Sequence, residues 1–306
     1  MFLGIDTSNY TTSAALYDNG EVFQCKRVLS VKQGERGLRQ SDAVFQHTVN
    51  MPNIINELCK DKDISLDGIG VSIKPRWIEG SYMPCFLVGE STAQAISSFT
   101  GAPLYKTSHQ TGHILAALYS ARKLDLIEKP FIAFHISGGT TEAVLVKPDK
   151  ENIISVEIIG ESTDLNAGQA IDRTGVLLGM KFPCGAELEE LAQGSSAEFK
   201  IKPSVKDCNC SLSGVENKVK AMLENGEKPC DIAKFAIDYI NVNLEKMTLA
   251  LLERHGSMPV LFAGGVSSNK TIRNNFENKF NAYFAEPQFS CDNAAGLAVY
   301  AYLKSL

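Results

Sequence analysis

Twice along this chain a short apolar strand runs into a turn of small polar residues and leaves through a second strand. The first passage is residues 2–5, then Asp6-Thr7-Ser8-Asn9-Tyr10-Thr11, then Thr12–Tyr17. The second is Phe131–Ile136, then Ser137-Gly138-Gly139-Thr140-Thr141, then Glu142–Lys147. β-rich runs bounded by turn formers read as hairpins, and the glycines of the second turn let backbone N–H groups approach an anion closely. One such hairpin says little. Two, each opening one half of the chain, predict a duplicated nucleotide-binding architecture with the ligand between the halves. The helical stretches expected between strands, at about 41–60, 85–100, 164–180, 213–224 and 230–255, make the class α/β.

The chain's 306 residues are enough for two domains, each with its own core. No apolar run reaches the length of a membrane span, and Asp6 interrupts the N-terminus too early for a secretory leader. Eight scattered cysteines suit reduced thiols in a cytosol. Cys208-Asn209-Cys210 lacks the second pair that a structural zinc site needs. A net charge of −5 argues against a chain that grips nucleic acid unaided, though a local patch or a basic partner stays open. There is no Gly-x-x-x-x-Gly-Lys loop, so a nucleotide is not held in the P-loop manner.

The densest chemistry lies in Ser108-His109-Gln110-Thr111-Gly112-His113. Ser108 can cap a helix whose first turns carry His109 and His113 four residues apart on one face. Such imidazoles can share a divalent metal, which then needs a further ligand, commonly a carboxylate; the plain reading is two ordinary surface histidines. Gln110 cannot take a proton, so this is not the His-Glu-x-x-His helix of a zinc peptidase. Asp292 opens the last apolar helix. It is either that helix's N-cap or the carboxylate completing a His109–His113–Asp292 set.

Elsewhere, Gly264 and Gly265 end a strand over 260–263 and clear room for a ring or ribose. Asn269 is either a hydrogen-bond partner for its hydroxyls or a helix cap. Asp164 reads as the cap of the helix to Met180, and Asp172 as a solvent-facing charge within it. Residues 183–212 read as irregular. The only tryptophan, Trp77, stands beside Arg76 in a loop, an arrangement suited to stacking on a flat ring or to a structural role.

Taken together, the motifs resemble the TsaD family, the tRNA N6-threonylcarbamoyladenosine synthases formerly called O-sialoglycoprotein endopeptidases. The likeness covers nearly the whole chain. It rests on Gly4-Ile5-Asp6-Thr7-Ser8, His109-x-x-x-His113, Ser137-Gly138-Gly139-Thr140-Thr141, Asp164-x-Asn166-Ala167-Gly168-Gln169-Ala170-Ile171-Asp172-Arg173-Thr174, Ser211-Leu212-Ser213-Gly214, Gly264-Gly265-Val266-Ser267-Ser268-Asn269 and Asp292-Asn293-Ala294-Ala295. The resemblance implies the actin-like ATPase (ASKHA) fold, two RNase H-like domains around a nucleotide cleft, here divided as 1–108 plus 290–306 and 109–289. It implies iron or zinc on His109, His113 and Asp292. It implies phosphate or acyl contacts from Ser137, Gly138 and Gly139, and ATP or adenylate contacts, with magnesium, from Asp172, Gly185, Gly264, Gly265 and Asn269. The implied reaction is transfer of a threonylcarbamoyl group from its adenylate to N6 of an adenosine in tRNA, helped by TsaB/TsaE-like partners in a homo- or heterodimer in the cytoplasm. Three segments depart from the family pattern: Tyr10 and Thr11 replace an acidic pair, Thr140 replaces a histidine, and Pro75-Arg76-Trp77-Ile78-Glu79-Gly80 replaces a Pro-Gly-Leu loop. They fit an alternative, a nucleotide- and metal-binding paralogue with a regulatory or scaffolding role or a different carbamoyl acceptor.

Overall fold

The computed structural model describes residues 1–8, 10–31, 38–290 and 293–306. They form two compact units, one of residues 1–128, 148–156 and 288–306, the other of residues 129–147 and 157–287.

The first unit opens with β1 (Phe2–Asp6), β2 (Thr11–Asp18) and β3 (Glu21–Val28), an antiparallel meander. Asn19 and Gly20, with φ of 47° and 89°, make the tight turn between β2 and β3. Then come α1 (Gln40–Cys59), β4 (Gly68–Lys74), α2 (Phe86–Thr100), β5 (Leu104–Ser108) and α3 (His109–Ser120). The sheet order is β3-β2-β1-β4-β5, with β4 parallel to both β1 and β5. Leu3, Ile5, Leu16, Ile69 and Val71 bury one sheet face beneath Met51, Ile54 and Leu58 of α1.

The second unit repeats this plan. Its elements are β6 (Phe131–Ile136), β7 (Thr141–Asp149), β8 (Ile153–Glu161), α4 (Ala167–Leu177), α5 (Gly185–Ala192), β9 (Val205–Lys206), β10 (Asn209–Cys210), α6 (Gly214–Glu224), α7 (Pro229–His255), β11 (Val260–Ala263), α8 (Lys270–Lys279) and β12 (Ala282–Phe284). The five-stranded order β12-β11-β6-β7-β8 matches the first sheet strand for strand, and β11 and β12 run parallel to β6. Phe262 stacks between Phe134 and Phe284, each pair of centroids 4.9 Å apart.

The last helix, α9 (Ala295–Ser305), packs in the first unit on β1, β4 and α3. The histidine helix α3 belongs to that unit too, so the chain divides after Glu128 rather than before His109. Two local expectations change. Asp164 does not cap α4; Asn166 stands at the N-cap, and Gln169 Oε1 accepts its N–H at 3.4 Å. The stretch 183–212 holds α5 and the β9–β10 pair. Among the described residues no helix is long and apolar enough to cross a membrane.

His47 lies fully buried on α1, with Nδ1 2.8 Å from Thr12 Oγ1 and Nε2 without a partner. Burial lowers its pKa to about 4, outweighing the opposing pull of Asp6. The unfolded chain takes up this proton near pH 6.5, so between about pH 6.5 and 4 it binds more protons than the folded one. Stability therefore falls as pH drops through that window, by up to ~1.4 kcal/mol per pH unit. Urea midpoints at pH 7, 5.5 and 4.5 should show this slope in the wild type and a flatter one in His47→Gln.

Candidate functional site

Parallel strands β1, β4 and β5 end together, and their C-terminal ends build the first site. Ser108 closes β5 and caps α3, its Oγ accepting the Thr111 N–H at 3.2 Å. His109 thus begins the helix directly above the end of β1. There Asp6 Oδ1 lies 3.1 Å from His109 Nδ1 and also accepts from Ser72 Oγ at the end of β4, while Oδ2 accepts from Ser8 Oγ at 2.7 Å. One turn along α3, His113 Nε2 stands 2.8 Å from His109 Nε2.

These distances fix protons. Burial raises the Asp6 carboxyl, but the His109 charge and the hydrogen bonds from His109, Ser72 and Ser8 outweigh it and hold the group below the usual carboxylate range. An ionised Asp6 can only accept, so the Nδ1 of His109 that faces it carries a proton. This carboxylate–imidazole pairing is the outer support typical of a metal-bound histidine.

The donor set fits a divalent ion. Two nitrogens on one tetrahedral zinc, at bonds of about 2.0–2.1 Å, stand roughly 3.3 Å apart, and a half-ångström adjustment of half-buried side chains opens the observed 2.8 Å to that span. Asp6 is an outer partner, its oxygens being committed to His109, Ser72 and Ser8. Among the described residues no three His, Cys, Asp or Glu side chains form a complete metal-binding group. Asp292 lies outside the described residues. The helix that follows it, however, starts against α3: a Cβ on Gly296 would fall 1.8 Å from the Gly112 carbonyl oxygen.

The second site lies at the ends of β6 and β11. Ser137 Oγ accepts the Gly139 and Thr140 N–H groups at 3.3 and 3.1 Å, and Thr140 O accepts from Ser137 N at 2.7 Å, closing a tight loop. The start of α4 is pressed onto it. Gly168 N donates to Ser137 O at 3.1 Å, Asn166 Nδ2 donates to Gly139 O at 2.9 Å, and a Cβ on Gly168 would lie 2.6 Å from Gly138 N. A Cβ on Gly138 or Gly139 would meet nothing within 4 Å, so this loop presents bare backbone to open space. Beside it Gly264, at φ +95°, passes the Ile136 backbone so closely that a Cβ would lie 2.3 Å from the Ile136 oxygen, and Gly265 next to it is open.

Asp172, on α4, accepts the Cys184 N–H at 2.8 Å, which places it beside Gly185 at the start of α5. Asn269 caps α8, its Oδ1 accepting from Ile272 N at 3.1 Å, and Lys270 N donates to Glu189 of α5 at 2.7 Å. The loops bearing Asp172, Gly185 and Asn269 are thereby linked. Asp164 organises the neighbouring Ser211-Leu212-Ser213 turn. Burial raises its pKa, but hydrogen bonds from the Ser211 and Ser213 hydroxyls and the Leu212 and Leu165 amides prevail and hold it at about 2. Sequence reasoning missed Asp6 as the partner of His109. Its signal was an aspartate closing a buried strand, where a charge needs a fixed partner.

Two sheets of matching strand order, the second with glycine-rich loops at its strand ends, define a protein of the actin-like ATPase (ASKHA) fold. Solved structures agree. Component A of (R)-2-hydroxyglutaryl-CoA dehydratase from Acidaminococcus fermentans superposes with a TM-score of 0.56 at 17% identity, over 99% of this chain and 98% of that one. Full-length HypF in its phosphate- and nucleotide-bound form gives 0.62 at 11% identity, over 99% of this chain and 55% of that one. A ROK family glucokinase from Streptomyces griseus, in complex with glucose and AMPPNP, gives 0.53 at 11% identity, over 99% and 98%. The model of one sequence family, TsaD, tRNA N6-adenosine threonylcarbamoyltransferase, matches residues 27–299, and the chain belongs to that family.

Proposed function

We propose that this protein transfers a threonylcarbamoyl group from threonylcarbamoyl-adenylate to N6 of an adenosine in tRNA. The reading is carried by one observation: a buried carboxylate holds the Nδ1 of His109, whose Nε2 faces the Nε2 of His113 at 2.8 Å. His109 and His113 would hold iron or zinc, with Asp292 as third ligand. A bound ion of this kind supplies Lewis-acid polarisation of the carbamoyl carbonyl. The rest falls to the chain's own groups. Asp6 keeps the Nδ1 proton in place, and the open face of the Gly138-Gly139 backbone would receive the phosphate. Asp172, Gly185, Gly264, Gly265 and Asn269 would frame the adenine nucleotide, with magnesium on its phosphates. That the HypF structure is nucleotide-bound and the glucokinase structure holds AMPPNP supports a nucleotide ligand for the shared fold.

In the transfer, a bond forms between N6 and the carbonyl carbon, the bond from that carbon to the phosphate oxygen breaks, AMP leaves, and the proton displaced from N6 passes to the departing phosphate or to water. Partner proteins in the cytoplasm would supply the adenylate, and TsaB/TsaE-like proteins would help with the tRNA, within a homo- or heterodimer, which suits a chain of net charge −5. Incubation with threonylcarbamoyl-adenylate and unmodified tRNA, with those partners present, should yield the modified adenosine by mass spectrometry of the digested nucleosides. Unmodified adenosine under all these conditions would sink the reading.

Tyr10, Thr11 and Thr140 favour a second reading, a paralogue that binds metal and nucleotide without modifying tRNA. It keeps metal and nucleotide binding in the same protein while the transfer assay stays blank.

A further inference from the structure

The strand that delivers Ser72 to Asp6 does not stop there. The register of β4 on β5 shifts between Ser72 and Lys74, and Lys74 pairs with Ser108, the residue that caps the histidine helix. From that point the chain leaves the sheet as a loop. Gln110 N, one residue past His109, donates to Pro75 O at 3.0 Å, so the loop is fastened to the first turn of α3. It is also closed on itself: Arg76 N donates to Ser81 Oγ at 3.3 Å, Ser81 N to Ile78 O at 3.1 Å, and Tyr82 N to Gly80 O at 2.9 Å. On it Trp77 is 47% exposed and Tyr82 60% exposed. Lys74 Nζ lies 4.4 Å from the centroid of the Trp77 ring.

A single exposed apolar side chain means little by itself, but the position of this one is not arbitrary. It stands at the C-terminal ends of parallel strands, where α/β sheets hold their ligands, tethered beside the residues that would hold the metal. Lys74 stands over the ring, Arg76 precedes it in the chain and Glu79 follows two residues on, so one cation is placed at a flat apolar ring and a second adjoins it in sequence. Stacking on an aromatic ring with cations on the adjoining backbone is how proteins hold unpaired nucleotides. The cation over the ring also fixes it before a ligand arrives.

We infer that the Lys74–Tyr82 loop is the element that reads the RNA acceptor, with Trp77 stacking on an unpaired base and Lys74 and Arg76 facing the neighbouring phosphates. This rests on the proposed use of an RNA acceptor. The Lys74 charge at the ring is local, which is compatible with a chain of net charge −5.

The protein has a single tryptophan, so its emission reports this ring alone. Titrating the full chain with a short RNA stem-loop bearing an unpaired adenosine should quench the emission, while a blunt RNA duplex of similar charge should not. By anisotropy of labelled stem-loop, Trp77→Ala should weaken binding about 5- to 100-fold, as loss of one stacked base does, and Trp77→Phe should retain most of it. Lys74→Ala with Arg76→Ala should lower the slope of log affinity against log salt by about two. The inference is overturned if the stem-loop does not bind, if it binds without changing the emission, or if Trp77→Ala binds as tightly as the wild type. Its failure is separable from that of the reaction. Transfer by the wild type, with Trp77→Ala equally active and equally tight, removes the loop assignment and leaves the reaction. Quenching without transfer does the reverse.

Discussion

On the proposed metal site, His109→Ala should bind no iron or zinc and should not support the proposed transfer. The change removes one of the two imidazoles and leaves His113 without the Nε2 that faces it at 2.8 Å. It also strips a buried, ionised Asp6 of its charged partner, which is costly when no water can replace it. Some loss of stability should therefore accompany the loss of metal. Asp6→Asn separates the two effects: the side chain keeps its shape and its oxygen can still accept the Nδ1–H, but the negative charge is gone. Metal affinity should then drop about 10- to 100-fold, the usual result of removing an outer-shell partner. Metal analysis after dialysis, with melting curves alongside, reads both variants. Stoichiometric iron or zinc on folded His109→Ala protein would rule out the imidazole pair as the metal site.

Gly296→Ala should cost about 3 kcal/mol or more, despite adding a single methyl group. In an exposed helix the same change would be stabilising, because alanine gives up less backbone freedom than glycine. Here α9 meets α3 backbone to backbone, and the new Cβ would fall 1.8 Å from Gly112 O and 2.6 Å from Ala116 N. No rotamer relieves that, since a Cβ has none, so the helices must part. A loss of this size corresponds to a fall in Tm of roughly 6–12 °C. Gly20→Ala, at φ +89° with nothing within 4 Å, should cost only about 1 kcal/mol from backbone strain and serves as a control. Equal melting temperatures for Gly296→Ala and wild type would show that α9 does not sit so tightly on α3. Gly112 lies between His109 and His113, so the same variant should also weaken metal binding.

Much of this was legible in the residues. Apolar runs broken by Asp6–Thr11 and Ser137–Thr141 marked the two hairpins because strand burial and turn chemistry are local matters. The capped histidine helix was legible for the same reason: Ser108 and the i, i+4 spacing lie within one turn of each other. Asp164 went astray because its nearest use looked like a cap. The groups that hold it, Ser211, Leu212 and Ser213, are nearly fifty residues away and arrive only when the chain folds back. Asn269 shows the milder case, in which the cap reading and the ligand reading share one side chain and the cap is the one with a measured partner.

The sequence by itself determined the α/β alternation, the duplicated halves and the imidazole pair, since each depends on neighbours within a few residues. Only the tertiary structure decided that Asp6 supports His109, that the histidine helix and the last helix close on each other through Gly112 and Gly296, and that the Trp77 loop is fastened to the same helix. Those pairings join residues up to 184 positions apart. They are set by how β1, β4 and β5 come to end side by side, and no local preference of the chain encodes that.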